Sequence, residues 1–145
     1  MLRFTKKADY GLMAVYYIAS HQGDGIVSNN KRIAEEFNIP AELLAKILQR
    51  LAKRGLILSQ SGPKGGYVLT RSPAEITVGE IVRAIEGPIH IVSCFENSDC
   101  PQISRCNLRT PVQKIQASII YLLDTMTLAE LTAAPTPVRE LATVS

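Results

Sequence analysis

Apolar residues recur along this chain with two different periods, and the change of period divides it. Ala8, Leu12, Val15 and Ala19 fall on one face of a helix that Thr5 can cap and that runs to about His21. Gln22-Gly23-Asp24-Gly25 breaks it. Ile33, Ala34 and Phe37 predict a shorter helix over about Asn30 to Phe37. Asn38-Ile39-Pro40 makes a tight connection, and Pro40 suits the first position of a third helix, where its missing N–H is not needed. Leu44, Ile47, Leu48 and Leu51 form the buried stripe of that helix. Gly55, after Lys53 and Arg54, predicts a left-handed end with cations at the helix C-terminus.

The period then shortens. Leu56-Ile57-Leu58-Ser59-Gln60 and Tyr67-Val68-Leu69-Thr70 predict two strands around Ser61-Gly62-Pro63-Lys64-Gly65-Gly66, a hairpin tip. Three helices followed by a two-stranded hairpin is the order of a winged helix-turn-helix. Thr77-Val78-Gly79-Glu80 reads as a capping box and starts a fourth helix, which ends near Gly87-Pro88. Residues 88–109 show no period and hold every cysteine. Thr110-Pro111-Val112-Gln113 reads as a second capping box, opening a long helix with Val112, Ile115, Ile119, Leu122, Leu123 and Met126 at helical spacing. Thr127-Leu128-Ala129-Glu130 starts a last short helix, and a frayed tail is expected beyond Ala133.

Composition narrows the class. Apolar residues make up 46% and charged residues 20% of 145, as in a soluble globular domain. No apolar run approaches the roughly 18 residues of a membrane span, and the basic start lacks the uncharged apolar core of a signal peptide. A cytoplasmic, reducing setting is therefore expected. Charge is unevenly shared: residues 1–71 carry a net +6 and residues 72–145 a net −3, within a total of +3. A basic first half points to a polyanion as partner.

The polar side of the third helix supplies the candidate reading residues. Glu42, Lys46, Gln49, Arg50 and Lys53 lie there, the first of them near the helix N-terminus that touches bases in helix-turn-helix proteins. Arg50, Lys53 and Arg54, further along, suit phosphates. Lys64 on the glycine-rich hairpin tip could reach a phosphate or the minor groove. Glu42 would repel phosphate but could accept from a cytosine amine.

Cys94, Cys100 and Cys106 are spaced C-x5-C-x5-C, an odd number that excludes complete intrachain disulfide pairing. Three thiolates from one polar loop can close around a soft metal site with a fourth ligand from elsewhere. An iron–sulfur cluster and a zinc ion both fit that description, and buried structural cysteines remain a third reading. A thiol enzyme is disfavoured, because no C-x-x-C pair exists and neither His21 nor His90 is placed as a base beside a cysteine.

With these residues in view, the chain resembles the winged-helix iron–sulfur regulator family of IscR, NsrR and RirA, most of all the regulators of the SUF assembly system. The resemblance covers about residues 1–132. It rests on Leu2 to Tyr10, Leu51 to Ile57, the wing Ser61 to Tyr67, Ile76 to Ile81, Ala84 to Pro88, and Thr127 to Leu131. It implies a mainly α fold with a small β-hairpin, divided into a DNA-binding winged helix-turn-helix (1–75), a cluster loop with a dimerisation helix (76–132) and a flexible tail (133–145). It also implies a homodimer on promoter DNA, most often a repressor of iron–sulfur assembly or iron and redox genes, with a cluster on Cys94, Cys100 and Cys106. IscR-like members place a histidine three residues after the third cysteine. Arg109 stands there in this chain and stays protonated, so it cannot ligate iron. NsrR-like members carry an aspartate early in the first helix that reaches the partner subunit's cluster, which makes Asp9 the candidate fourth ligand, and the missing histidine favours [4Fe–4S] over [2Fe–2S]. A first-turn helix charge, pairing with Lys6 or complementing the helix dipole, is the competing role for Asp9.

Overall fold

A computed structural model of the chain describes residues 4–63, 65–91, 101–102 and 104–133. Lys64, Cys94, Cys100 and the expected tail beyond Ala133 lie outside the described residues. The order of elements is α1 (Lys6–Ser20), α2 (Asn30–Phe37), α3 (Ala41–Lys53), β1 (Ile57–Gln60), β2 (Gly66–Leu69), a 3-10 turn (Pro73–Glu75), α4 (Val78–Glu86), α5 (Arg109–Thr125) and α6 (Leu128–Thr132). The fold is mainly helical with one antiparallel hairpin, in which Ile57 faces Leu69 and Gln60 faces Gly66.

The helix starts follow side-chain chemistry. Thr5 caps α1 by accepting from the Ala8 N–H, and Asn29 caps α2 by accepting from the Arg32 N–H. The capping box at the start of α4 forms in both directions, from the Glu80 N–H to Thr77 Oγ1 and from the Thr77 N–H to Glu80 Oε2. The expected box at Thr110 does not form. Leu108 stands at the cap without a side-chain bond, and the helix already begins at Arg109, so Thr110 and Pro111 sit inside the first turn. Proline is tolerated there because first-turn N–H groups have no partner within the helix. Pro40 likewise occupies the cap of α3 and not its first position. Gly55 takes a φ of 78°, the left-handed end expected from the sequence.

The core joins one face of α1 to α3, α4 and the base of the hairpin. Val15, Ile18, Ile33, Leu44, Ile47, Leu48, Leu51, Ile57, Ile76, Ile81 and Leu128 are fully buried in it. Gly11 lets α1 approach α4 and α3 closely, because a Cβ there would run into Ile85 and come within 3.3 Å of Ile47. The chain returns through a short bridge between Thr77 and Thr127, with the Val78 N–H donating to the Met126 carbonyl and the Leu128 N–H to the Ile76 carbonyl. Leu128 thereby anchors α6 in the core of the first half.

Helix α5 differs from the rest, because none of its residues is buried. Leu108, Ile115 and Leu122, seven residues apart, are 61%, 54% and 55% exposed, and Tyr121 is 72% exposed. No helix among the described residues is long and apolar enough to cross a membrane.

Candidate functional site

The two faces of α3 are sharply separated. Leu44, Ile47, Leu48 and Leu51 are buried, whereas Glu42, Lys46, Gln49, Arg50 and Lys53 are exposed. Glu42, Lys46, Gln49 and Lys53 follow the i, i+4, i+7, i+11 pattern of a single stripe, so the residues expected to read DNA line one side of the helix. The N-terminus of α3 is fixed to α2 by Asn30, whose Nδ2 donates to the Ala41 carbonyl at 3.2 Å. Lys31 and Arg32, exposed in the first turn of α2, add cations that the sequence reading did not single out. The first helix of such a motif crosses the phosphate backbone, so the signal was present in their place in the chain order.

Arg50 is held differently from its neighbours. Its Nη1 donates to the Ile85 carbonyl in the last turn of α4 at 2.7 Å. Position 50 lies three residues after Ile47 and one before Leu51, at the margin of the buried stripe, and from there a long side chain reaches the adjoining helix.

The hairpin is fastened along β2 to the segment between α1 and α2. The Tyr67 N–H donates to the Ser28 carbonyl at 2.9 Å, and Gln22 Oε1 accepts from the Leu69 N–H at 3.2 Å. Gly66 permits this approach, since a Cβ would come within 3.0 Å of the Ser28 backbone. Gly62, with φ at 112°, turns the tip beside Lys64.

Of the three cysteines, Cys106 lies among the described residues, as a free, exposed thiol just before α5. Among the described residues no three His, Cys, Asp or Glu side chains lie close enough together to hold a metal ion. The candidate set is therefore tested on chemistry. A thiol with no packing role, in the segment that also carries Cys94 and Cys100, suits a soft metal or an iron–sulfur cluster. Asp9 is half-buried in the first turn of α1. Lys6, its competing partner by sequence, instead lies with its ammonium 5.7 Å from the centre of the Tyr10 ring. Arg109 is exposed as the first residue of α5. His90 is half-buried, with Nδ1 buried and without a hydrogen-bond partner. It lines a cleft of about 530 Å³ together with Phe4 and Thr5 just ahead of α1, Val82 and Glu86 of α4, and Ile119 of α5.

Two ion pairs brace the surroundings of α4. Arg83 holds Asp124 of α5 through two bonds, 2.6 Å to Oδ1 and 2.8 Å to Oδ2. These bonds hold the Asp124 carboxyl below the ordinary range despite an opposing effect of burial, and the same bonds raise Arg83. Burial pushes the Glu80 carboxyl up. The Thr77 backbone N–H and Arg71, whose Nη2 lies 2.9 Å from Glu80 Oε1, outweigh that effect and lower it.

Known proteins share this arrangement over nearly the whole chain. The Rrf2 family, described as an iron-dependent transcriptional regulator, matches residues 4–134. The chain is 30% identical over 135 residues to the HTH-type transcriptional repressor NsrR of Streptomyces coelicolor, covering 93% of this chain and 91% of that one. It is 32% identical over 130 residues to the HTH-type transcriptional regulator IscR of Yersinia pseudotuberculosis, covering 90% and 79%. Among solved structures, CymR, the global cysteine regulator of B. subtilis, superposes with a TM-score of 0.72 at 30% identity over 91% of this chain and 97% of that one. IscR of T. potens superposes with a TM-score of 0.70 at 30% identity over 95% and 96%. A hairpin-flanked recognition helix, a match over nearly the whole length and transcription regulators among both sequence and structural relatives lead to one conclusion: the chain belongs to the Rrf2 family of DNA-binding winged-helix transcriptional regulators, and it is not an enzyme.

Proposed function

We propose that this regulator is a homodimeric repressor that binds double-stranded promoter DNA and senses an iron–sulfur cluster held by Cys94, Cys100 and Cys106. The observation that carries the reading is the exposed Cys106 thiol, in the cysteine-bearing segment, immediately ahead of a helix with no buried residue. Asp9 of the partner subunit is the proposed fourth ligand, and Arg109 in place of a ligating histidine favours a [4Fe–4S] group. Bound there, the group would supply a soft, oxidisable centre with one replaceable ligand. The chain's own part is to give up thiol protons, to order residues 88–109 against α5, and to set the two recognition helices for one DNA spacing. Glu42, Lys46 and Gln49 would meet base edges, and Lys53 and Lys64 phosphates.

The dimer reading is supported by Leu108, Ile115 and Leu122, a seven-residue repeat of large apolar side chains left in solvent. Single exposed apolar residues are ordinary, but a heptad repeat of them on a helix without buried residues suits a contact surface. A cluster-free or zinc-stabilised regulator is the second reading. It is favoured by the structural likeness to a protein titled a global cysteine regulator, which shows the same fold beside a different signal.

The test is the affinity for a duplex that the wild-type protein selects from a random-sequence pool. Chelator-stripped protein is compared with protein reconstituted anaerobically with iron and sulfide. The sensing reading expects the two affinities to differ by about fivefold or more, the lower end of usual coupling between sites. Equal affinities, with zinc in the protein as purified, would establish the second reading instead.

A further inference from the structure

The end of α4 is a junction. Arg83, Ile85 and Glu86 in its last turn each hold a different element. Arg83 pairs with Asp124 of α5, the Ile85 carbonyl accepts from Arg50 of α3, and Glu86 accepts from Thr5 at the start of α1. The Ile85 side chain packs against Gly11 of α1, beside Ile47 of α3. Gly87 then ends the helix with φ at 82°, and the Ile91 N–H donates to Gln116 Oε1 of α5 at 3.0 Å. The cysteine segment therefore leaves directly from the turn that grips the recognition helix.

We propose that Arg50 is a positioning residue that carries the state of the cysteine segment to α3, and does not itself bind phosphate. This rests on the sensing function proposed above. The last carbonyls of a helix lack partners within it, so a guanidinium satisfies the Ile85 carbonyl and complements the helix C-terminus at once. Such a charge-assisted bond is short and directional. A shift of residues 85–87, imposed through Gly87 when the cysteines bind a cluster, either drags Arg50 and the axis of α3 with it or breaks the bond. Either response changes how Glu42, Lys46 and Gln49 meet the groove. The other cations at this corner, Lys53 and Arg54, are exposed and left to meet the backbone of DNA.

The experiment measures affinity for the selected duplex over a salt series, in the stripped and reconstituted states. It compares wild type with Arg50→Gln, Arg50→Lys and Lys53→Gln, each verified as folded by circular dichroism. Removing one cation that neutralises a phosphate should lower the slope of log affinity against log salt by about one. Arg50→Gln is expected to keep the wild-type slope and to bring the ratio of affinities between the two states to near one. Lys53→Gln is expected to do the reverse. Arg50→Lys retains charge but not the planar fork, so it should follow Arg50→Gln in the ratio. The proposal is overturned by a drop in slope of about one that Arg50→Lys restores, or by an unchanged ratio in both Arg50 variants. A wild-type ratio of one would overturn the sensing function and the coupling role together. The slope would then still decide whether Arg50 touches phosphate.

Discussion

Single side chains hold α4 in place, and their charges set its response to acid. Asp124 and Glu80 titrate below their ordinary values in the folded protein. The folded state therefore binds fewer protons than the unfolded chain as the pH enters the carboxylate range. Stability from both pairs is present above about pH 5 and is lost as the pH falls through the lowered values. Each pair is more than a third open to solvent, so each contributes under about 1 kcal/mol. Urea unfolding of Asp124→Asn should show a loss of about 0.5 kcal/mol at pH 7 that shrinks as the pH falls below the ordinary carboxylate range. A loss that persists undiminished at pH 3 would mean that Asp124 acts through packing and not through charge. Thr77→Ala should cost about 1 kcal/mol in the same measurement, because it removes one half of the capping box. That box was legible in the sequence, since Thr77 and Glu80 are local partners. The pairs Arg83–Asp124 and Arg50–Ile85 were not, because each joins residues more than thirty positions apart and no local pattern announces them.

At the scale of elements, the recognition helix and wing were legible because their signals are periodic and short-range. The stripe Leu44, Ile47, Leu48, Leu51 is buried as expected, and Gly55 is left-handed as expected. The start of α5 was misjudged, since Thr110 has the composition of a cap while the helix begins one residue earlier, at Arg109. Gly11 carries information about packing that no periodicity holds, because its missing side chain makes room for Ile85 across the helix pair. Gly11→Val should destabilise the protein by about 1–3 kcal/mol through overpacking, measured by thermal or urea unfolding. Retained stability would mean that α1 and α4 part more easily than their packing implies.

For the whole molecule, the question is what covers α5. A dimer through Leu108, Ile115 and Leu122 would bury the stripe and set two recognition helices at a fixed spacing. Sedimentation of wild type should give twice the 15.9 kDa chain mass, and Ile115→Lys with Leu122→Lys should give the single mass without loss of helix content. A monomeric wild type would remove the dimer. The helical spacing of Val112, Ile115, Ile119, Leu122, Leu123 and Met126 was legible in the sequence, but Leu108 and the division of that set were not: Ile115 and Leu122 are exposed and the other four are half-buried. Periodicity alone does not say whether a stripe faces its own chain or another.

A cluster in the cysteine segment is tested by iron, acid-labile sulfide and visible absorption of anaerobically purified wild type beside Cys106→Ala. Cys106 is exposed, so the substitution leaves no cavity and its effect is that of a missing ligand. The expected result is a brown wild type with iron and sulfide in matching amounts, and a colourless, folded variant. A colourless wild type carrying zinc or no metal would contradict it and leave a winged-helix regulator with another signal.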